Sequence, residues 1–293
     1  MRSEGINSRK LFEAINGTVL IIMSVIMLYP FVYTLSMSFS DMVSASKGGL
    51  HLYPERISLT AYRMVFANRS ILIGYGNTLY RTVLGTLLTL LFTSMTAYPL
   101  SRKYMPHRNF YMLYVLFTML FHGGLIPTYL VMNAIHLVDN RLIYLLGGLI
   151  SGFNVVIFKN FFQSIPDSLI ESAKIDGAPE YKILFRIILP LSAPVLATVA
   201  LWVAVGHWNA WFDALIYINS DSKRVLQTFL QRVVIQDYTK LIETGIETPD
   251  TFSFTPESIK SATIIVTILP ILFLYPFIQK YFTKGIMIGA VKG

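Results

Sequence analysis

Apolar residues in this chain fall in long unbroken runs. Six are long enough to stand out, at about 15–39, 77–100, 110–132, 142–162, 187–218 and 261–282. A hydrocarbon layer about 30 Å thick is crossed by ~20 helical residues rising 1.5 Å each. The pattern therefore predicts an all-α, polytopic membrane protein with six transmembrane helices. Barrel strands would instead alternate in polarity over about ten residues, and these runs do not.

The polar stretches between the runs carry their own signals. A first long segment, about 40–76, contains Gly48, Gly49 and Pro54 and then a short helical pattern at 59–66 that Ser58 or Thr60 can cap. A second, about 219–260, spaces Leu226, Phe229, Leu230 and Val233 as on an amphipathic surface helix, and Pro256 suits the first turn of the last span. In the fourth run "GGLISG" sets Gly148 and Gly152 at i and i+4, a spacing that lets helices approach closely, for packing within the chain in preference to a subunit contact. A single domain over residues 1–293 describes the whole economically.

Composition agrees with a lipid setting: 54% of residues are apolar and only 14% charged, mean hydropathy is +0.57, and soluble domains carry roughly 25% charged residues. The net charge of +8 is scattered and builds no stripe for nucleic acid. It reads better as positive-inside bias. Arg2, Arg9 and Lys10, then Arg102, Lys103 and Arg108, then Lys280, Lys284 and Lys292 share one side if there are six spans, with Lys159, Lys174, Lys182 and Arg186. Both termini are thus expected in the cytoplasm. No cysteine is present, so thiol chemistry and Cys-based metal sites are excluded. The first run lacks an A-x-A cleavage pattern and is expected to be retained.

One stretch departs from this pattern. "ESAKIDGAPEYKILFRIILP", at 171–190, holds Glu171, Lys174, Asp176, Glu180, Lys182 and Arg186. With the residues before it, it predicts a helical hairpin. Ser164 can cap the first helix, Pro166 fits its first turn, Asp167 and Glu171 suit its early turns, and Gly177 can take the left-handed stop. The second helix starts near Pro179 and runs into the fifth span. Leu169, Ala173 and Ile175 are expected to form a small apolar face. A helix lying in the lipid interface would have a polar face rich in Lys and Arg. Mixed charge favours a docking element for a protein groove, since so short a helix is marginal alone.

Here the chain resembles the EAA loop of binding-protein-dependent ABC importers, on Glu171, Ala173, Asp176, Gly177, Ala178, Phe185, Ile187, Leu189, Pro190 and Pro194, with Ser172 where that family usually has alanine. "YPFVYTLSMSFS" with Pro30, "GNTLYRT" with Asn77, "TAYPLSRK" with Ala97, Tyr98 and Arg102, "LIPTYLVMNAIHLVDN" with Pro127 and Leu137, and "GHWNAWFDALIYI" with Trp208 and Asn209 are similar to the carbohydrate-uptake, maltose-type branch. The resemblance implies a type I permease fold in a bacterial inner membrane. It implies coupling to two copies of a separate ATPase through a loop at about 164–190, carried by Glu171, Ser172, Ala173, Asp176, Gly177 and Pro190. It further implies a second permease subunit that is a different chain, an external solute-binding protein and an oligosaccharide cargo. ATP and Mg would be bound by the ATPase, for this chain has no cofactor motif of its own: G-x-x-x-x-G-K-[ST] is missing. The last external loop is similar to those of permeases for alginate or pectin fragments, which implies an acidic cargo.

For a cargo path the residues themselves nominate Trp208, Asn209, His207 and Trp211 in the fifth run, where rings can stack on sugars and Asn and His can bond hydroxyls. An aromatic belt at the membrane boundary is the alternative reading of that cluster. Arg81 and His122 can meet an anionic sugar or pair internally, for instance with Asp213, and the internal pair is preferred. No catalytic or metal motif stands out. The rival class is an ion-gradient-driven secondary transporter, for which Asp213 is the one mid-membrane acid.

Overall fold

The computed structural model describes the backbone of residues 2–235 and 255–290 and the side chains of residues 9–234 and 255–273. The centre of the second external loop and the C-terminal tail lysines named above lie outside the described side chains. Among the described residues every extended element is a helix, and the contacts divide the chain into two compact units, Met1–Arg69 with Leu230–Leu269 and Ser70–Phe229 with Pro270–Gly293.

In the first unit, α1 (Arg2–Ser38) contains a 30-residue span, Arg9–Ser38, whose most apolar window has no buried residue. Exposure of this kind is what hydrocarbon as solvent requires. Pro30 lies inside the helix, and the Thr34 hydroxyl donates back to the Pro30 carbonyl at 2.7 Å. After it come α2 (Met42–Ser46), capped by Asp41 through the Ser44 amide at 2.8 Å, and α3 (Thr60–Ala67). That Ser44 hydrogen bonding holds the Asp41 carboxyl below its usual range. The expected short helix is therefore present, with Leu59 at its N-cap position and the Ser58 hydroxyl accepting from the Thr60 amide at 3.3 Å.

The second unit is built on α4 (Arg69–Ser101), 33 residues with the polarity inverted relative to a soluble helix. Asn77, Thr78, Arg81, Thr86, Thr89, Thr93 and Ser94 are buried, whereas Leu72, Leu79, Val83, Leu87 and Met95 are exposed. Lipid outside and polar neighbours inside produce that pattern.

Three of the six runs are not continuous helices. Run 110–132 is α5 (Arg108–Leu120) and α6 (Leu125–Ala134), bent by 114° across "FHGG". Gly124 sits there at φ +85° and Pro127 falls in the first turn of the new helix, where a missing amide costs nothing. Run 142–162 is α7 (Ile143–Leu146) and α8 (Gly152–Gln163). Gly148 and Gly152 do not share a helix face: Gly148 turns the chain at φ +102°, and Gly152 alone gives the close approach, since a Cβ there would lie 2.6 Å from Met119 and 3.1 Å from the Val115 carbonyl of α5. Run 187–218 bends by 82° at Ser192, between Pro190 and Pro194, and breaks again at Ala210. Among the described residues three helices are long and apolar enough to cross a membrane singly, or up to five if each bent pair forms one span.

Candidate functional sites: a charged hairpin and a buried ionic cluster

The hairpin begins where α8 ends. Ser164 terminates α8, its hydroxyl donating to the Phe161 carbonyl, and does not cap the next helix. That helix, α9 (Asp167–Ile175), starts after Pro166 with Asp167 in its first turn. It closes on a Schellman motif: Gly177 at φ +78° donates to the Lys174 carbonyl at 3.0 Å, and Ala178 donates to Ala173 at 2.9 Å. The left-handed stop expected at Gly177 is therefore in place.

Leu169, Ala173 and Ile175, expected to form one small apolar face, do not share one. Ile170 is buried and Ala173 packs beside it against Phe158, Phe162 and Ile165, while Leu169 is 44% and Ile175 86% exposed. The helix carries apolar residues on two sides, which hides its inward face from sequence inspection. Outward it presents Ser168, Glu171, Ser172 and Ile175, all exposed. Glu171, Asp176, Lys182 and Arg186 make no ion pair among the described residues and are exposed.

The remaining charges are spent inside the chain. Glu180, at the start of α10 (Glu180–Ile183), takes the Lys174 ammonium at 2.7 Å and the hydroxyls of Tyr98 and Tyr104 at 2.5 and 2.8 Å. Lys174 also lies 3.8 Å above the Tyr104 ring, and its hydrogen bond to Glu180 holds its pKa above the ordinary lysine value. Arg102, 3% exposed, donates to the Phe162 carbonyl at 2.8 Å near the C-terminal end of α8, packs on the Tyr98 ring and faces Asp167 at 3.6 Å. The sequence marks Tyr98 through the resemblance and Arg102 also through the positive-inside pattern, but points to the partners of neither. Pairings 82 residues apart leave no local signal.

After α10 a π-helical turn, Leu184–Ile188, buries Leu184 and Ile188, and α11 (Leu189–Leu191) with exposed Pro190 leads into α12 (Ala193–Asn209). Pro190 and Pro194 bracket the bend, so the hairpin's second arm is continuous in sequence with α12 but set at 82° to it.

The second site lies where α12 breaks into α13 (Phe212–Tyr217). Arg81 of α4, 5% exposed, holds Asp213 through two hydrogen bonds, 2.9 and 2.5 Å, donates to the Ala210 carbonyl freed at the break (3.2 Å) and reaches His207 Nδ1 at 3.4 Å. The internal Arg81–Asp213 pair weighed above is thus formed. Gly85 makes room for the His207 ring, which a Cβ would meet at 2.8 Å. Trp208 is buried against Tyr75 (6.1 Å between centroids), Asn209 is exposed and accepts from Gln227 at 3.5 Å, and Trp211 is half-buried. His122 is exposed near Asp213 in a 320 Å³ pocket that Thr128 and Tyr217 also line.

Beside this site Asp139 gathers the Asn219 and Ser220 amides, the Ser220 hydroxyl and Lys223, and these bonds, Ser220's first, hold its carboxyl well below the usual carboxylate range. Asn77 donates to the Ser222 and Arg224 carbonyls at 3.1 and 2.7 Å, pinning the start of α14 (Leu226–Ile235) to α4. In α14 Leu226 and Val233 are buried, as the amphipathic spacing predicts.

A family model described as the binding-protein-dependent transport system inner membrane component matches residues 10–288. The chain belongs to that family. This inner membrane component is 42% identical over 284 residues to Protein LplC of Bacillus subtilis (strain 168), covering 97% of this chain and 96% of that one. It is 39% identical over 288 residues to the polygalacturonan/rhamnogalacturonan transport system permease protein YtcP of the same organism, covering 97% and 99%. Among solved structures it is similar to a chain of a bacterial ABC transporter involved in the import of the acidic polysaccharide alginate, with a TM-score of 0.87 and 32% identity over 94% of this chain and 98% of that one. The permease fold expected from the sequence is therefore observed, and the chain is a multi-pass membrane component of a transport system. Family membership supports the ABC permease reading over an ion-gradient-driven carrier.

Proposed function

We propose that this permease moves an acidic oligosaccharide inward, across a bacterial cytoplasmic membrane, as one of two membrane subunits driven by a separate pair of ATPase subunits and fed by an external binding protein. The observation that carries the cargo class is that a 39% identical relative is named for polygalacturonan and rhamnogalacturonan and a 32% identical structure for alginate, all of them acidic polymers. Both termini and the hairpin then face the cytoplasm, in keeping with the basic residues that cluster on that side.

The coupling role falls to the outward face of α9. Glu171, Ser172 and Ile175 point away from the chain's own core, so a groove in the ATPase can take the isoleucine while a basic residue there meets Glu171. Ala173 packs inward, Gly177 fixes the turn, and Asp176 and Pro190 flank the arm that leads into α12. ATP and Mg sit on the ATPase subunits, leaving this chain without a catalytic site. Docking does work only if its contacts differ between inward- and outward-open states. The cargo path runs past Asn209 and Trp211, with Arg81, His207 and Trp208 holding its wall.

Uptake into proteoliposomes tests the reading. Oligogalacturonate or alginate oligomers should accumulate only with ATP, the ATPase subunits and a binding protein, and Glu171→Lys should abolish accumulation. Accumulation lost to an ionophore yet indifferent to ATP would refute it.

A further inference from the structure

The hairpin is joined to α12 by the chain itself, but the ties described above fasten it to α4 as well. Tyr98, 6% exposed, sits three residues from the end of α4 and its hydroxyl donates a hydrogen bond to Glu180, a carboxylate on the hairpin's second arm. Arg102, one residue past α4, binds the Phe162 carbonyl and faces Asp167 at the start of the first arm. About 25 Å away along α4, at 1.5 Å for each of the residues from Tyr98 back to Arg81, Arg81 grips Asp213 and the Ala210 carbonyl where α12 ends. Between these points Gly85 lets α4 lie against His207 of α12 with no space for a methyl group. Force on the hairpin thus has two routes to the α12–α13 break, through α12 and along α4.

We propose that Tyr98 and Glu180 are positioning residues that make α4 a second connecting rod between the ATPase seat and the break at Ala210. The assignment rests on the coupling role given to the hairpin above. Only the Tyr98 end of this bond is buried, Glu180 being half-exposed, but a hydrogen bond to a charged acceptor is stronger than one between neutral groups, so it ties α4 to the hairpin's second arm. The same carboxylate also takes the hydroxyl of Tyr104, which is 58% exposed and stands outside any helix in the loop after α4. Tyr98→Phe and Tyr104→Phe therefore each remove one hydroxyl from one carboxylate, yet only the first cuts the bond between α4 itself and the hairpin's second arm.

The test uses the assembled importer in proteoliposomes, with uptake per ATP hydrolysed as the readout and co-purification of the ATPase subunits as the check on docking. Tyr98→Phe should keep the ATPase bound and lower uptake per ATP about five- to tenfold, while Tyr104→Phe should stay within about twofold of the unmodified complex. Glu180→Gln should lower it as much as Tyr98→Phe, and the double variant should be no worse than the more affected single one, as for two members of one tie. Unchanged uptake per ATP in Tyr98→Phe, equal losses in the two tyrosine variants, or losses that multiply in the double variant would overturn the inference. Absence of ATP-driven uptake in the unmodified complex would overturn the function itself, and this inference with it.

Discussion

Gly177 offers a perturbation whose cost can be worked from one dihedral angle. Its φ of +78° lies in the left-handed region, and a Cβ built there meets nothing within 4 Å, so an added methyl group costs backbone strain and no clash. For residues with a Cβ that conformation costs roughly 1–2 kcal/mol, which at RT ≈ 0.59 kcal/mol is about a 5- to 30-fold change in the equilibrium between formed and frayed hairpin. Asparagine tolerates the region better, and a β-branched residue worse. Hydrogen exchange in nanodiscs reads this at the amides of residues 177 and 178, whose bonds to Lys174 and Ala173 close the motif. After correction for intrinsic rates, exchange there should rise least in Gly177→Asn, about 5- to 30-fold in Gly177→Ala, and at least as much in Gly177→Val. The reasoning fails if Gly177→Val exchanges like the unmodified protein, or if Asn and Ala have equal effects.

The ionic cluster and the loop beside it give two more expectations. The Arg81 side chain is 6% exposed and that of Asp213 27%, so Asp213→Asn strands the more deeply buried charge and should cost about 3–5 kcal/mol; the Arg81→Met/Asp213→Asn double variant should melt above Asp213→Asn, and the reverse order would contradict an ion pair. Asp139 has a folded-state pKa below its ordinary value of 3.8, so its contribution is present above that pH and lost as the pH falls below it towards the depressed folded value. Protection of the Ser220 amide should therefore be constant from pH 7 to about 5 and fall towards pH 2, whereas constant protection throughout would refute the link.

What could be read from the chain followed from periods and backbone rules. The runs of apolar residues located the lipid-facing helices, "DG" at Asp176 and Gly177 fixed the end of α9, and Asp213 was the available partner for Arg81. Breaks were harder. "FHGG" before Pro127 and "LPLSAP" around Ser192 sit inside stretches apolar enough to pass as single spans, and hydropathy averages over a bend. The single apolar face expected on α9 is split because Leu169 and Ile175 are as apolar as Ile170, and hydropathy does not separate the one buried position from the two exposed ones. The Glu180 tie was invisible for a different reason: its hydroxyl donors stand at positions 98 and 104, and only the folded chain brings them to the carboxylate.

The account depends on the outward face of α9 being the seat of the ATPase, and the chain's lack of native cysteine makes that measurable without background. Ser172→Cys and Ile175→Cys, assembled with the ATPase subunits in native membranes, alkylated at the new thiol with a short photoreactive maleimide and irradiated, should each give an adduct with the ATPase. Leu120→Cys, at an 81% exposed position on a membrane helix, should give none. Adducts from both α9 positions and none from Leu120→Cys are the expected result; no adduct from either α9 position, in a complex that still hydrolyses ATP, would contradict the central claim.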